Sequence, residues 1–152
     1  MSCETFNQEM RARVPENQKW LFDFYDPAQM LEPEIGVIGA GVYRAALACM
    51  HEETDENKPF ALLDVGCNQA IQCFLYDDPA CALYIGLDMI PEEYRYRARN
   101  TVHIQADARQ WLKTPPGFLK AYSLVIVGAG VPDELYKLVR GMGTVFWWYP
   151  GV

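Results

Sequence analysis

Three short apolar runs in this chain each finish in or beside an aspartate. The first ends Leu63-Asp64-Val65-Gly66-Cys67-Asn68-Gln69-Ala70, the second Gly86-Leu87-Asp88-Met89 and the third Gln105-Ala106-Asp107-Ala108. In an open parallel sheet, ligands bind outside the carboxyl ends of the strands, where the strand order reverses. A glycine after the first strand lets backbone approach a ligand closely. An acidic residue at the end of the second can accept both hydroxyls of a ribose. An aspartate after the third can accept from the exocyclic amine of adenine, with apolar neighbours flanking the ring. Each aspartate alone reads as a helix N-cap following a strand. At three consecutive strand ends, Asp64, Asp88 and Asp107 together read as one adenosyl-binding surface.

Those carboxylates need a sheet to carry them. Phe60–Val65, Ala82–Leu87, Val102–Ala106, Leu124–Val127 and Thr144–Tyr149 are of strand length and rich in β-branched or aromatic residues. Helical or turn-forming material lies between them, at about 69–76, 91–99, 108–113 and 132–140. Strand and helix alternate, which predicts a mostly parallel sheet of about five strands in an α/β layer architecture. Upstream, Ala45-Ala46-Leu47-Ala48 is good helix material. Residues 1–33 read as a short helix and a connector punctuated by Pro27 and Pro33.

The 152 residues make one domain by length, with 1–59 as an N-terminal helical cap and 60–152 as the core. A composition of 51% hydrophobic and 22% charged residues is that of a globular chain. Thirteen basic residues against twenty acidic ones give a net charge of −7, which argues against bulk nucleic-acid binding. The one dense basic stretch, Arg95, Arg97 and Arg99, has no second cluster beside it. Five cysteines without a Cys-x-x-Cys pair read as reduced cytoplasmic thiols, and the isolated His51 and His103 offer no zinc site. No apolar run approaches the length of a membrane span.

Leu62-Leu63-Asp64-Val65-Gly66-Cys67-Asn68-Gln69-Ala70 resembles the first motif of the Rossmann-like (class I) S-adenosylmethionine-dependent methyltransferases. Ile85-Gly86-Leu87-Asp88 is similar to their ribose-binding strand end, Gln105-Ala106-Asp107-Ala108 to their adenine-contacting motif, and Tyr122–Val127 to their fourth strand. The resemblance covers about residues 60–150 and implies a Rossmann-like core whose terminal antiparallel hairpin is missing. It implies S-adenosylmethionine as cofactor. Asp64 would orient the methionine amino group through water, and Gly66, with Cys67 and Asn68 beside it, would let backbone pass the methionine moiety. Asp88 would take the ribose hydroxyls and Asp107 the adenine amine, with Met89 and Ala108 flanking the ring.

Three departures from the family are the absent closing hairpin, Ser123 and the segment after the fourth strand, while the changes within the glycine motif are of a tolerated kind. Asn68 and Ala70 stand where the second and third glycines are usual, and Ser123 where the fourth strand usually starts with an acid. The segment Val127–Asp133 lacks the Asn-Pro-Pro-aromatic signature of amino-group DNA methylation. The implied activity is methyl transfer to a small-molecule or protein acceptor by in-line displacement, which needs mainly positioning. The alternative is a non-catalytic, methyltransferase-like interaction protein, such as an accessory subunit or a small viral or mobile-element protein. A third reading is cleavage of the adenosyl ligand.

Other motifs have plainer readings. Ile35–Ala45 imitates a dinucleotide fingerprint, but Arg44 falls at the third glycine position, and a helix with a glycine-rich lead-in fits better. Cys67 reads as a small buried residue as well as part of the first motif. Trp20, Phe22, Phe24 and Tyr25 read as packing against the sheet or as a lid. Phe146-Trp147-Trp148-Tyr149 must face both sides of a strand, and an edge strand of that composition predicts a homodimer that covers it.

Overall fold

Phe60-Ala61-Leu62-Leu63-Asp64-Val65 is apolar at all but one position, the composition of a strand covered on both faces. It forms the central strand β1 (Phe60–Val65) of the computed structural model, with every residue after Phe60 buried. The structure describes residues 40–53 and 57–148, together with positions 12 and 16. Four further strands follow: β2 (Leu83–Asp88), β3 (Thr101–Gln105), β4 (Ser123–Ala129) and β5 (Thr144–Trp148). They lie in the order β3-β2-β1-β4-β5, and every neighbouring pair is parallel. The expected α/β architecture is present, with a sheet that is wholly rather than mostly parallel. The order reverses between β1 and β4, and the carboxyl ends of the strands at such a reversal are where open α/β sheets form a ligand crevice.

Helix α1 (Ala40–Glu52) covers one face of the sheet. It buries Tyr43, Ala46 and Met50, one stripe at helical spacing, and leaves Arg44, Ala45 and Ala48 in solvent. Tyr43 reaches Asp64 near the carboxyl end of β1, while Met50 lines a cavity with Phe60 at its amino end. The helix therefore runs antiparallel to the strand, and its first turn sits at the crevice. Leu62, Tyr84, Val125 and Val127 pack on this side with Ile71, Cys73 and Tyr76. On the other face, Leu63, Val65, Ile85, Leu87 and Ile126 meet Leu112 of α2 (Ala108–Lys113) and Leu135 and Val139 of α3 (Asp133–Val139).

Two segments carrying helical residues are not α-helices. Within 69–76, only a 3₁₀ turn forms, at Ile71–Tyr76, entered through a left-handed Ala70. Within 91–99, a single 3₁₀ turn at Glu92–Tyr94 gives way to irregular chain. In the second segment, Arg95 turns inward onto backbone carbonyls, and the Tyr96 amide donates to the Gln69 carbonyl at 2.7 Å. Those bonds outcompete continuation of a short helix.

The aromatic run at the end of β5 divides between the two faces. Phe146 packs against the α1 side and Trp147 against the α3 side. Trp147 donates from Nε1 to the Val131 carbonyl at 3.0 Å, and its indole lies where a Cβ on Gly128 would be. Two of the four aromatics are thus accommodated within one chain, while Trp148 stays 38% exposed. The N-terminal cluster at Trp20, Phe22, Phe24 and Tyr25, and Tyr149, lie outside the described residues. Among the described residues no helix is long and apolar enough to cross a membrane.

Candidate functional site

β1 ends where Gly66 turns the chain into the left-handed region at φ 69°. A Cβ there would approach Val131 Cγ2 to 2.9 Å, so both the dihedral and the space call for glycine. Asn68 (φ 53°) and Ala70 (φ 60°) repeat the left-handed turn within the same loop. That conformation costs a residue such as alanine about 1–2 kcal/mol, and asparagine less. Hydrogen bonds hold the loop in place. The Gly66 and Cys67 amides donate to the Leu87 carbonyl at 2.8 and 3.3 Å, and the Ala70 amide to the Cys67 carbonyl at 2.9 Å. The Asn68 amide donates to Asp88 Oδ2 at 3.0 Å.

The three strand-end aspartates do not share one depth: Asp64 is buried, while Asp88 and Asp107 are partly exposed. Register pairs Asp64 with Gly86, and Asp88 with Gln105, so Asp64 lies two residues below the rim that Asp88 occupies. Asp64 has no exposed surface. Its carboxylate accepts from Tyr43 at 2.8 Å, from Gln72 Nε2 at 2.7 Å and from the Tyr84 hydroxyl. Burial raises its pKa from 3.8 to about 6, although the bonds from Tyr84, Gln72 and Tyr43 favour the charged form. Asp64 is therefore an interior group, held by α1, by the 3₁₀ turn and by β2 at once.

Asp88 is half-buried at the tip of β2. Oδ2 takes the Asn68 amide and Oδ1 the Ile90 amide, each at 3.0 Å. A carboxylate has about four acceptor sites, so each oxygen keeps capacity for one hydroxyl. Asp107 caps α2, with Oδ1 accepting the Arg109 amide at 2.8 Å. Beside them Met89 is 65% exposed, whereas Ala108 packs partly into the α2 side of the core. The structure thus brings Gly66, Asn68, Asp88, Met89 and Asp107 to one rim and sets Asp64 and Cys67 beneath it.

Arg95 was legible in sequence only as part of a basic stretch, and the structure splits that stretch. Arg97 pairs with Glu92 and Arg99 with Asp77 at the surface, but Arg95 is 1% exposed. Its guanidinium donates to the carbonyls of Gly86 (2.9 Å), Asp88 (2.7 Å), Ile90 (2.6 Å) and Ile104 (3.0 Å). These bonds satisfy a buried cation with carbonyl dipoles and tie the ends of β2 and β3 together. Cys67 Sγ lies 3.8 Å from the same guanidinium, and burial holds its thiol well above the ordinary range. His103 on β3 is set by a 2.6 Å contact of Nε2 with the Tyr96 carbonyl, and burial lowers its pKa from 6.5 to about 4. Gln72 was not singled out by its residue type. A glutamine buried in an apolar stretch is the signal that it has interior partners.

At the opposite end of the sheet, Met50, Phe60, Pro79 and Ala80 line a cavity of about 410 Å³, with exposed His51 paired to Asp78 at 3.1 Å beside it. No motif residue reaches it. Comparisons of the chain with protein-family models, with curated proteins and with solved structures found no match.

Proposed function

We propose that the chain binds S-adenosylmethionine across the carboxyl ends of β1, β2 and β3 in a Rossmann-like arrangement, and transfers its methyl group to a small-molecule or protein acceptor. The observation that carries the reading is Asp88: a carboxylate at the rim, with each oxygen fixed by one backbone amide and open to one further donor. That is the acceptor pair that vicinal ribose hydroxyls require. Met89 offers apolar surface to a ring, and Asp107 Oδ2 lies beside the oxygen that caps α2.

The loop argues for an adenosyl ligand over a dinucleotide. A diphosphate is bound by backbone amides that point at it. Here the amides of Gly66, Cys67, Asn68 and Ala70 all donate within the protein. A ligand that joins adenosine to methionine through a sulfonium carries no diphosphate for them to hold. The cofactor supplies an activated methyl group, and the protein's part is to hold the ribose at Asp88 and keep the rim in register through Arg95. Asp64 does not suit direct contact, since its carboxylate is enclosed by Tyr43, Gln72 and Tyr84.

Calorimetric titration with S-adenosylmethionine and S-adenosylhomocysteine tests this. Wild type should bind both in the micromolar range, and Asp88→Ala should bind about 10–100-fold more weakly, the worth of hydrogen bonds to a charged acceptor. Equal affinity in Asp88→Ala would contradict the site.

A further inference from the structure

We infer that Gln72, anchored by the buried Asp64 carboxylate, is a positioning residue for Asp88 and acts through the peptide bond joining Cys67 to Asn68. The inference rests on the reading of Asp88 as the carboxylate that receives the ligand hydroxyls.

The contacts form one continuous path. Gln72 Nε2 donates to Asp64 Oδ2 at 2.7 Å, and the same nitrogen reaches the Cys67 carbonyl at 3.0 Å and the Tyr43 hydroxyl at 3.1 Å. A bond to a carboxylate is the stronger kind, so Asp64 fixes where the amide stands. The Cys67 carbonyl and the Asn68 amide are the two ends of one planar, trans peptide and point in opposite directions. Holding the carbonyl toward Gln72 in the interior aims the amide outward at Asp88 Oδ2, 3.0 Å away.

Asn68 supplies the reason such a clamp is needed. Its φ of 53° is a conformation that costs asparagine less than alanine but still more than glycine. Rotating the Cys67–Asn68 peptide about its own axis would relieve it. The same rotation would turn the Cys67 carbonyl toward the Asp88 carboxylate, replacing a donor by a dipole of the wrong sign. The peptide is therefore a two-position element. Gln72, alongside the Ala70 amide that donates to the same carbonyl at 2.9 Å, holds the position that leaves Asp88 oriented by amides on both oxygens, the state suited to a diol.

Two variants and two readouts decide it. Gln72→Met keeps the length and removes the donor. Gln72→Asn keeps an amide beside Asp64 but is one methylene short of the Cys67 carbonyl, and serves if the methionine variant does not fold. Amide hydrogen exchange by NMR compares Asn68 with Ile90, whose amide bonds the other Asp88 oxygen. In either variant Asn68 should exchange about tenfold faster while Ile90 and the β4 core amides keep their rates, the effect of losing one hydrogen bond. Affinity for S-adenosylhomocysteine should fall about tenfold. Adding Asn68→Gly, which removes the left-handed penalty, should restore most of that affinity.

Unchanged Asn68 exchange in both variants would overturn the inference, as would loss of affinity that Asn68→Gly leaves unrepaired. If wild type binds no S-adenosylhomocysteine, the adenosyl reading fails. The exchange rates then still decide whether Gln72 positions the loop.

Discussion

Asp64 and His103 carry opposite charges when ionised, and burial pushes both toward neutrality. The Asp64 carboxyl is raised to about 6 and the His103 imidazole lowered to about 4. Between about pH 4 and 6 the folded chain holds a proton on Asp64 that the unfolded chain has released, so this group's contribution to stability falls as pH rises. Over nearly the same window the unfolded chain holds a proton on His103 that the folded one refuses, so this contribution falls as pH drops. The two offset each other. Asp64→Asn should expose the His103 effect alone, and stability should drop more steeply than in wild type as pH falls from 6.5 to 4. The steepening is on the order of 2–3 kcal/mol for a fully buried carboxyl shifted this far. Urea denaturation across that range measures it, and parallel stability profiles for the two proteins would contradict the assignment. Residue type made the rim aspartates visible in the sequence. It did not separate the interior one from the exposed ones, because depth is set by register, and register pairs Asp64 with Gly86 rather than with Asp88.

At the scale of elements, the strands were legible and two of the helices were not. Buried parallel strands are almost continuously apolar, so Phe60–Val65 and Leu124–Val127 announce themselves within a residue or two. The stretch 91–99 reads as helix by composition, but Arg95 spends its side chain on the carbonyls of β2 and β3, a long-range partnership that local sequence does not encode. Likewise the loop Gly66–Ala70 departs from the three-glycine pattern, yet three left-handed residues still occur in it. Asp107 joins element to site, since it caps α2 and stands at the rim. Asp107→Ser should keep the cap, with stability within about 0.5 kcal/mol, while Asp107→Ala should cost about 1 kcal/mol. If Asp107 takes the adenine amine, both variants should weaken S-adenosylhomocysteine binding to a similar degree, because serine is too short to reach it. Thermal melts alongside calorimetry separate the two roles. Packing between elements makes its own prediction: Gly128→Ala should lose roughly 1–3 kcal/mol in urea unfolding, because the new methyl displaces the Trp147 indole.

For the whole molecule, the five strands place the order reversal, the first turn of α1 and the left-handed loop at one end of the sheet. A net charge of −7 suits neither a phosphate backbone nor a dinucleotide held by charge alone. The proposed site would take adenosine with a carboxylate for its ribose, while the amides of Gly66, Cys67, Asn68 and Ala70 already donate within the protein. The most direct measurement is a side-by-side equilibrium titration of the wild-type chain with S-adenosylhomocysteine and with NAD, which share the adenosine and differ in the diphosphate. An adenosyl site at Asp88 should give saturable binding of S-adenosylhomocysteine and at least a tenfold weaker response to NAD, about 1.4 kcal/mol or more of discrimination. Tighter binding of NAD would contradict it, and so would heat from neither ligand.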